Sequence, residues 1–211
     1  MISLKDDGMS KIMNKCLVYS SKLTGNQFLY NEFKVVVELI QDGFNKSEIY
    51  KKVVDENLFE YRSTKSITKR LGAVLERVKA LDDYLLDCVI KKTNEVGRLV
   101  NLYAIMKYDL LFFEFMEEVI LDRKLSYQEE LSKTDITRFF EIKSEQSELV
   151  AGFKETTLKR LRLSYIEILL GSGCVIKTEK SMKLAPPMAI SSIRGHLEKI
   201  GDSRYLKAML G

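Results

Sequence analysis

The chain has 211 residues, of which 45% are hydrophobic and 30% charged, so it can bury a core without help from disulfides or metals. Its 11 glycines and two prolines exclude a collagen-like or low-complexity chain and argue against a β-barrel or sandwich. The 34 basic and 30 acidic residues give a net charge of +4, which by itself indicates no particular partner. We therefore expect a soluble, helical protein.

Five helices are predicted in the first 123 residues. Apolar residues recur with a 3.6-residue period over about 28–41, 45–57 and 63–81, and two further helices are predicted over 84–99 and 100–123. The second of these five begins at Asn45, with Glu48 three residues later, which is the pattern of a capping box. Ser63 is the expected cap of the third.

The last third is predicted to hold two helices, a hairpin and two short terminal helices. One helix, capped by Thr134 or Asp135, runs to about 147, and the next is capped by Thr156 or Thr157 and ends at 171–173. Short β-like runs at 174–178 and 182–185 predict a small hairpin, followed by helices near 190–200 and 203–210.

These elements predict an all-α fold: a compact multi-helix globule with two helix-turn-helix-like units, the second followed by a small β-hairpin wing. We divide it into an N-terminal helical region (1–98), a connecting buried helix (99–130) and a C-terminal winged-helix-like region (131–211).

Cysteine and histidine are too few and too scattered for the usual metal or nucleophilic sites. Cys16, Cys88 and Cys174 stand far apart, no Cys-x-x-Cys pair occurs, and His196 is the only histidine. This excludes zinc fingers and argues against Ser-His-Asp and Cys-His catalysis. We expect buried, reduced cysteines, a cytoplasmic location, and neither a catalytic residue nor a bound metal or cofactor.

Residues 102–121 are about as long as a membrane span. The segment carries five charged residues: Lys107, Asp109, Glu114, Glu117 and Glu118. Because each costs about 2.5–3.5 kcal/mol near the centre of a bilayer, we interpret the segment as a long buried helix and expect no membrane association.

The charges are distributed unevenly along the chain. Residues 62–79 hold six basic residues and one acidic residue, and 154–162 hold four and one. Between them, residues 109–148 hold eleven acidic and five basic residues. This pattern indicates two places for a polyanion, separated by a region that repels it.

Both basic segments have features of a helix that enters the major groove of DNA. Such a helix needs short or polar residues near its start and cations beside them. The candidate DNA contacts are Ser63, Thr64, Lys65, Lys69 and Arg70 in the first segment, and Lys154, Lys159 and Arg160 with the hairpin lysines Lys177, Lys180 and Lys183 in the second. The alternatives are that both faces are merely solvated and that the hairpin is only a connector.

Several short motifs resemble the BrxA family of bacteriophage-exclusion (BREX) phage-defence systems. They are Tyr19-Ser20-Ser21-Lys22-Leu23-Thr24, Phe28-Leu29-Tyr30-Asn31-Glu32-Phe33, Asp55-Glu56-Asn57-Leu58-Phe59, Ser66-Ile67-Thr68-Lys69-Arg70-Leu71, Phe112-Phe113-Glu114-Phe115 and Thr156-Thr157-Leu158-Lys159-Arg160-Leu161. The resemblance implies a compact all-α cytoplasmic protein that binds DNA and acts with a methyltransferase, an ATPase and other subunits. It implies no catalytic residues.

Three functions stay open at this point. The first is a non-enzymatic, monomeric protein that binds duplex DNA. The second is a scaffold that docks partner subunits through the acidic middle, and the third is an RNA-binding helical module.

Overall fold

Short polar breaks divide the first half of the chain into five helices. The structure is a computed structural model that describes residues 18–179, 181–185 and 187–210. The helices are α1 (Tyr30–Gln41), α2 (Lys46–Asp55), α3 (Thr64–Val78), α4 (Asp83–Lys91) and α5 (Asn94–Tyr108). The predicted capping box of α2 is confirmed: Asn45 Oδ1 accepts from the amides of Ser47 and Glu48, and Glu48 accepts from the Asn45 amide.

The segment predicted as a long helix over 100–123 is buried but interrupted. The predicted boundary at residues 99/100 is wrong, because α5 runs across it and ends at Tyr108. Asp109 then breaks the helix, and its carboxylate accepts from the Phe112 amide at 2.9 Å to cap α6 (Leu110–Phe115). A π-helical turn (Met116–Leu121) and α7 (Asp122–Leu125) complete this stretch.

The second half combines helices with a small sheet. Its elements are β1 (Glu130–Leu131), α8 (Lys133–Gln146), α9 (Glu148–Ala151), α10 (Glu155–Ser172), β2 (Val175–Lys177), β3 (Met182–Leu184), a 3₁₀ turn (Met188–Ile190), α11 (Ser191–Lys199) and α12 (Ser203–Leu210).

The predicted hairpin is confirmed as β2 and β3, and β1 extends it to a three-stranded antiparallel sheet in the order β1-β3-β2. The predicted threonine cap of α10 is wrong, because Lys154 precedes its first residue; its predicted end is confirmed at Gly173, which has φ 79°.

Helix α5 lies at the centre of the core. It packs against α1, α3, α4, α6 and α10, and its residues from Leu99 to Met106 are all buried. The aromatic rings of α6, α8 and α10 form a second cluster around Tyr165, whose centroid lies 4.9 Å from Phe112, 5.1 Å from Phe115 and 5.2 Å from Phe140. The predicted fold class is thus confirmed, with a sheet one strand larger than expected.

Arg77 is part of the core, although the sequence places it in the first basic segment. Its side chain is completely buried and donates to the carbonyl oxygens of Phe28 at 2.9 Å and of Asn26 and Gln27 at 2.7 Å. Burial lowers the pKa of its guanidinium to about 10, so the group stays charged at neutral pH. Arg77 therefore fixes the turn before α1 and is unavailable to an external ligand.

The cysteine and histidine expectations can be tested in part. Cys88 and Cys174 are buried free thiols as predicted, whereas Cys16 lies outside the described residues. His196 lies partly exposed on α11, with Nε2 2.7 Å from Asp82 Oδ2 and its ring stacked on Tyr84. No helix in the described part of the chain is both long and apolar enough to cross a membrane.

Candidate nucleic-acid interface

The start of α3 presents polar side chains to solvent. Ser63, Thr64 and Lys65 are exposed, and the first turn of the helix contains no acidic residue. The Ser63 side chain makes no capping hydrogen bond, so the free amides of this turn and its positive dipole end are uncompensated by the helix itself. An anion placed here would be stabilised.

Lys69 lies one turn further along the face that carries Lys65. It is exposed, and its ammonium lies so close to the turn before α1 that a Cβ atom added to Gly25 would be 3.5 Å from Nζ. Among the described residues, neither Lys65 nor Lys69 has a carboxylate within ion-pair distance.

Arg70 is held against the protein. Its guanidinium lies over the Tyr61 ring at 4.1 Å from the centroid, and Nη1 is 3.5 Å from the Ser66 carbonyl oxygen. Tyr61 in turn donates to Glu32. Burial, the larger cause, and the Glu32 carboxylate, the second cause, together raise the pKa of the Tyr61 phenol to about 12. The charge of Arg70 is therefore fixed in place beside the start of α3 and is only half exposed.

The start of α10 carries the second set of cations. Lys154, Lys159 and Arg160 are exposed, and none of them has an ion-pair partner within the described ranges. Arg162, by contrast, pairs with Glu155. On the outer face of the helix, Leu163 follows Arg160 by one turn and is 53% exposed, so this face offers both a cation and an apolar contact.

The hairpin lysines do not act as a single group. Lys177 pairs in register with Met182, while Lys183 on the central strand pairs with Ile176 and Glu130. Because successive side chains in a strand point to opposite faces, Lys177 and Lys183 lie on opposite faces of the sheet. Lys177 is exposed and Lys183 is half-buried; Lys180 lies outside the described residues.

A groove of about 350 Å³ lies between the turn before α1, Tyr61 and the later half of α10. Tyr61 and Glu32 line it beside the start of α3, and Glu167 and Gly171 line it on α10. Arg98 of α5 also lines it and donates to the Gly171 carbonyl oxygen at 3.3 Å. No candidate DNA contact of either basic segment that the structure describes lines this groove, which carries the carboxylates of Glu32 and Glu167, so the structure does not join the two segments through it.

About half of the acidic residues in 109–148, the acidic middle of the chain, already have polar or charged partners within the protein. Lys143, whose side chain is 4% exposed, lies 2.6 Å from both Glu114 and Glu118. Arg204 donates to both oxygens of Glu117, and Arg123 pairs with Asp135. The sequence suggests a free acidic surface here, but these carboxylates already have cationic partners.

Sequence reasoning missed three groups beside these segments: Lys22, Tyr61 and Arg98. Lys22 follows two serines and precedes Thr24-Gly25-Asn26, a run of small polar residues around a cation that could have drawn attention to it. The positions of Tyr61 and Arg98 depend on tertiary contacts with Arg70 and Tyr30, which no local pattern encodes. In the described part of the chain, no group of three His, Cys, Asp or Glu residues could hold a metal ion.

Comparisons with known proteins give a consistent result. The family model for BrxA matches residues 18–201. The BREX protein BrxA of Bacillus cereus (strain H3081.97) is 33% identical over 199 residues, which are 94% of this chain and all of that protein. The BREX protein BrxA of Escherichia coli O9:H4 (strain HS) is 17% identical over 205 residues, which are 97% and 95% of the two chains.

One solved structure has a similar fold. The crystal structure of an uncharacterized protein from Magnetospirillum magneticum superposes with a TM-score of 0.78 at 16% identity, covering 91% of this chain and 98% of that one. At this identity the similarity concerns the fold alone.

Proposed function

This chain belongs to the BrxA family, and from that membership we propose that it is a non-enzymatic, duplex-DNA-binding component of a BREX phage-defence system. In this proposal it is a cytoplasmic monomer that works with other subunits of the system, such as a methyltransferase and an ATPase. Its DNA contacts are the two basic segments and the adjacent hairpin.

The observation that carries the proposal is the exposed charge at the start of α10, which has no ion-pair partner among the described residues and lies on the helix that leads into β2. The order α8, α9, α10, β2, β3 supports the proposal that residues 131–211 are a winged-helix-like unit, to whose hairpin β1 adds a third strand beside β3. In helix-turn-helix proteins the second helix lies in the major groove, and its N-terminal residues contact the bases. Lys159 and Arg160 occupy that part of α10.

The start of α3 would supply a second set of contacts. Lys65 and Lys69 share one face, and the uncompensated amides of the first turn favour a phosphate. The division of the chain into three regions remains part of this proposal, although its limits at 98/99 and 130/131 fall within α5 and within β1.

A scaffold role through the acidic middle has less support, because Glu114, Glu117, Glu118 and Asp135 are already paired within the protein. An RNA-binding role is tested by competition: unlabelled duplex DNA should displace a labelled duplex at lower concentration than RNA of the same length.

Binding of a labelled duplex, followed by fluorescence anisotropy, tests the proposal. We expect Lys159→Glu with Arg160→Glu, and separately Lys65→Glu with Lys69→Glu, to weaken binding strongly while leaving the circular dichroism of the helices unchanged. The matched control is Lys199→Glu with Lys207→Glu, two exposed lysines on α11 and α12 without ion-pair partners among the described residues. Wild-type affinity in both test variants would contradict the proposal.

A further inference from the structure

A second groove, of about 520 Å³, separates α3 from the turn that precedes α1. Ser21, Lys22 and Thr24 line it on the turn, and Lys69 and Glu76 line it on α3. We call it the turn groove. It brings Lys69, a candidate DNA contact, together with Lys22, which lies 47 positions earlier in the chain.

The turn groove is rich in donors that have no partner. The Lys22 ammonium lies 5.3 Å from the centroid of the Tyr108 ring, and neither it nor Lys69 has a carboxylate within ion-pair distance among the described residues. The Ser21 hydroxyl and the Gly25 amide donate to no described residue. The Thr24 hydroxyl is buried, and it also lacks a partner there.

The acidic groups near the groove are already engaged. Glu76 is the carboxylate that lines it, and Lys79 holds that side chain at 2.5 Å. Asp109 lies close enough for the charge of Lys22 to affect it, but it is buried and accepts from the Ser20 hydroxyl and the Phe112 amide. Two ammonium groups are thus left for a ligand.

The turn that carries these donors is held in place by buried groups of the core. Arg77 binds the carbonyl oxygens of Asn26 and Gln27, and Leu23 is completely buried. Asn26 is 7% exposed, and its Nδ2 donates to the Lys22 carbonyl oxygen at 3.0 Å. A ligand would therefore meet donors whose backbone is already ordered, which reduces the entropy lost on binding.

We infer that the turn groove binds a phosphate group, with Lys22 and Lys69 supplying charge from opposite walls and the turn supplying hydrogen-bond donors. A phosphate has only acceptors toward such donors, and charge-assisted bonds of this kind are about twice as strong as neutral ones. The buried Asn26 Oδ1, an acceptor without a partner in the described structure, would accept a hydrogen bond from a bridging water.

Two sources can supply such a phosphate. The backbone of duplex DNA is the source that follows from the proposed function, on which this part of the inference rests. A free nucleotide di- or triphosphate carries the same chemistry. The groove is adjacent to Lys69, so a strand that follows the Lys65–Lys69 face would place one of its phosphates here.

The test compares Lys22→Gln, the charge-conserving Lys22→Arg and the control Lys199→Gln in duplex binding between about 0.05 and 0.3 M salt. Loss of one phosphate contact lowers the slope of log K against log salt by about 0.9, so we expect Lys22→Gln to bind roughly fivefold to tenfold more weakly at about 0.1 M salt. Lys22→Arg and Lys199→Gln should bind like the wild type. A wild-type slope in Lys22→Gln excludes the duplex as the source of the phosphate and leaves the proposed function intact, because the wild type still binds the duplex. The inference is then overturned if pyrophosphate also fails to raise the Tm of the wild type.

Inorganic pyrophosphate, followed by thermal unfolding, separates the two sources. If free phosphates are the ligand, pyrophosphate should raise the Tm of the wild type and of Lys199→Gln but not that of Lys22→Gln. If the wild type binds no duplex, the proposed function fails, and the Tm shift with pyrophosphate alone tests the phosphate site. Loss of the shift in Lys22→Gln supports the site, whereas absence of a shift in the wild type overturns it. Should Lys22→Gln fold poorly, Lys69→Gln gives the same readout from the opposite wall.

Discussion

Arg77 shows that two basic residues on a single helix can have opposite roles. Lys69 and Arg77 are eight positions apart in α3, yet Lys69 is exposed and Arg77 has no exposed surface. The apolar period predicts the buried row Ile67, Leu71 and Val74, but the acceptors of Arg77 belong to residues about 50 positions earlier. Without knowledge of that contact, a sequence can only count Arg77 as surface charge.

We expect Arg77→Met to destabilise the protein by about 3 kcal/mol or more, because it leaves three carbonyl oxygens without their charged donor. Urea unfolding measures this change. The control Arg62→Met removes an exposed arginine and should alter stability by less than about 0.5 kcal/mol. Equal effects of the two substitutions would show that the buried guanidinium does not stabilise the turn.

Asp109 makes stability depend on pH. Burial raises the pKa of its carboxyl from 3.8 to about 6, although the Phe112 amide, Ser20, Lys22 and Arg77 all favour the charged form. Between those two pKa values the folded state binds more protons than the unfolded state, so this group's contribution to stability is present at low pH and falls as pH rises.

Relative to Asp109→Asn, the unfolding free energy of the wild type should therefore fall by roughly 2.4 kcal/mol between about pH 4 and pH 7. Burial raises the pKa of Asp135, but its hydrogen bonds to Ser132 and Arg123 lower it by a larger amount, so the net pKa is lowered. Such paired carboxylates make stability rise with pH. Their effect is the same in the wild type and in Asp109→Asn and therefore cancels in this comparison. Parallel curves for the two proteins would contradict the assigned shift.

At the scale of elements, capping residues and the 3.6-residue spacing of apolar residues identify helices well, but they identify the junctions between helices poorly. The capping box at Asn45 and the stop at Gly173 are confirmed, because both act through neighbouring residues. The junction between α4 and α5 falls at the polar residues Lys92 and Thr93, although one helix is predicted over 84–99. Strand β1 has only two residues. Its pairing with β3, more than 50 positions later, has no local pattern that could predict it.

The caps also give a prediction about stability. Asn45→Ala removes a side chain that accepts from two amides, so we expect a loss of about 1 kcal/mol. Ser63→Ala is the matched control, since the Ser63 side chain makes no capping bond, and it should cost a few tenths of a kcal/mol at most. Urea midpoints compare the two, and a larger loss for Ser63→Ala would contradict this assignment of the caps.

At the scale of the whole molecule, the sequence predicts that the candidate DNA-binding cations of α3 and α10 are exposed, but it does not predict how they are arranged relative to one another. Lys65, Lys69, Lys159 and Arg160 are all exposed. None of these four cations lines the groove that contains Glu32 and Glu167, and the hairpin lysines Lys177 and Lys183 lie on opposite faces. Contact of one duplex with both basic segments therefore remains part of the proposal.

The salt dependence of duplex binding tests this arrangement most directly. If both segments contact phosphates of one duplex, the double substitution of Lys65 and Lys69 by Glu should reduce the slope of log K against log salt by at least about 1.8. The double substitution of Lys159 and Arg160 by Glu should do the same, and all four substitutions together should reduce the slope by the sum of the two effects. A wild-type slope near zero, or an unchanged slope in the fourfold variant, would show that these cations do not bind DNA.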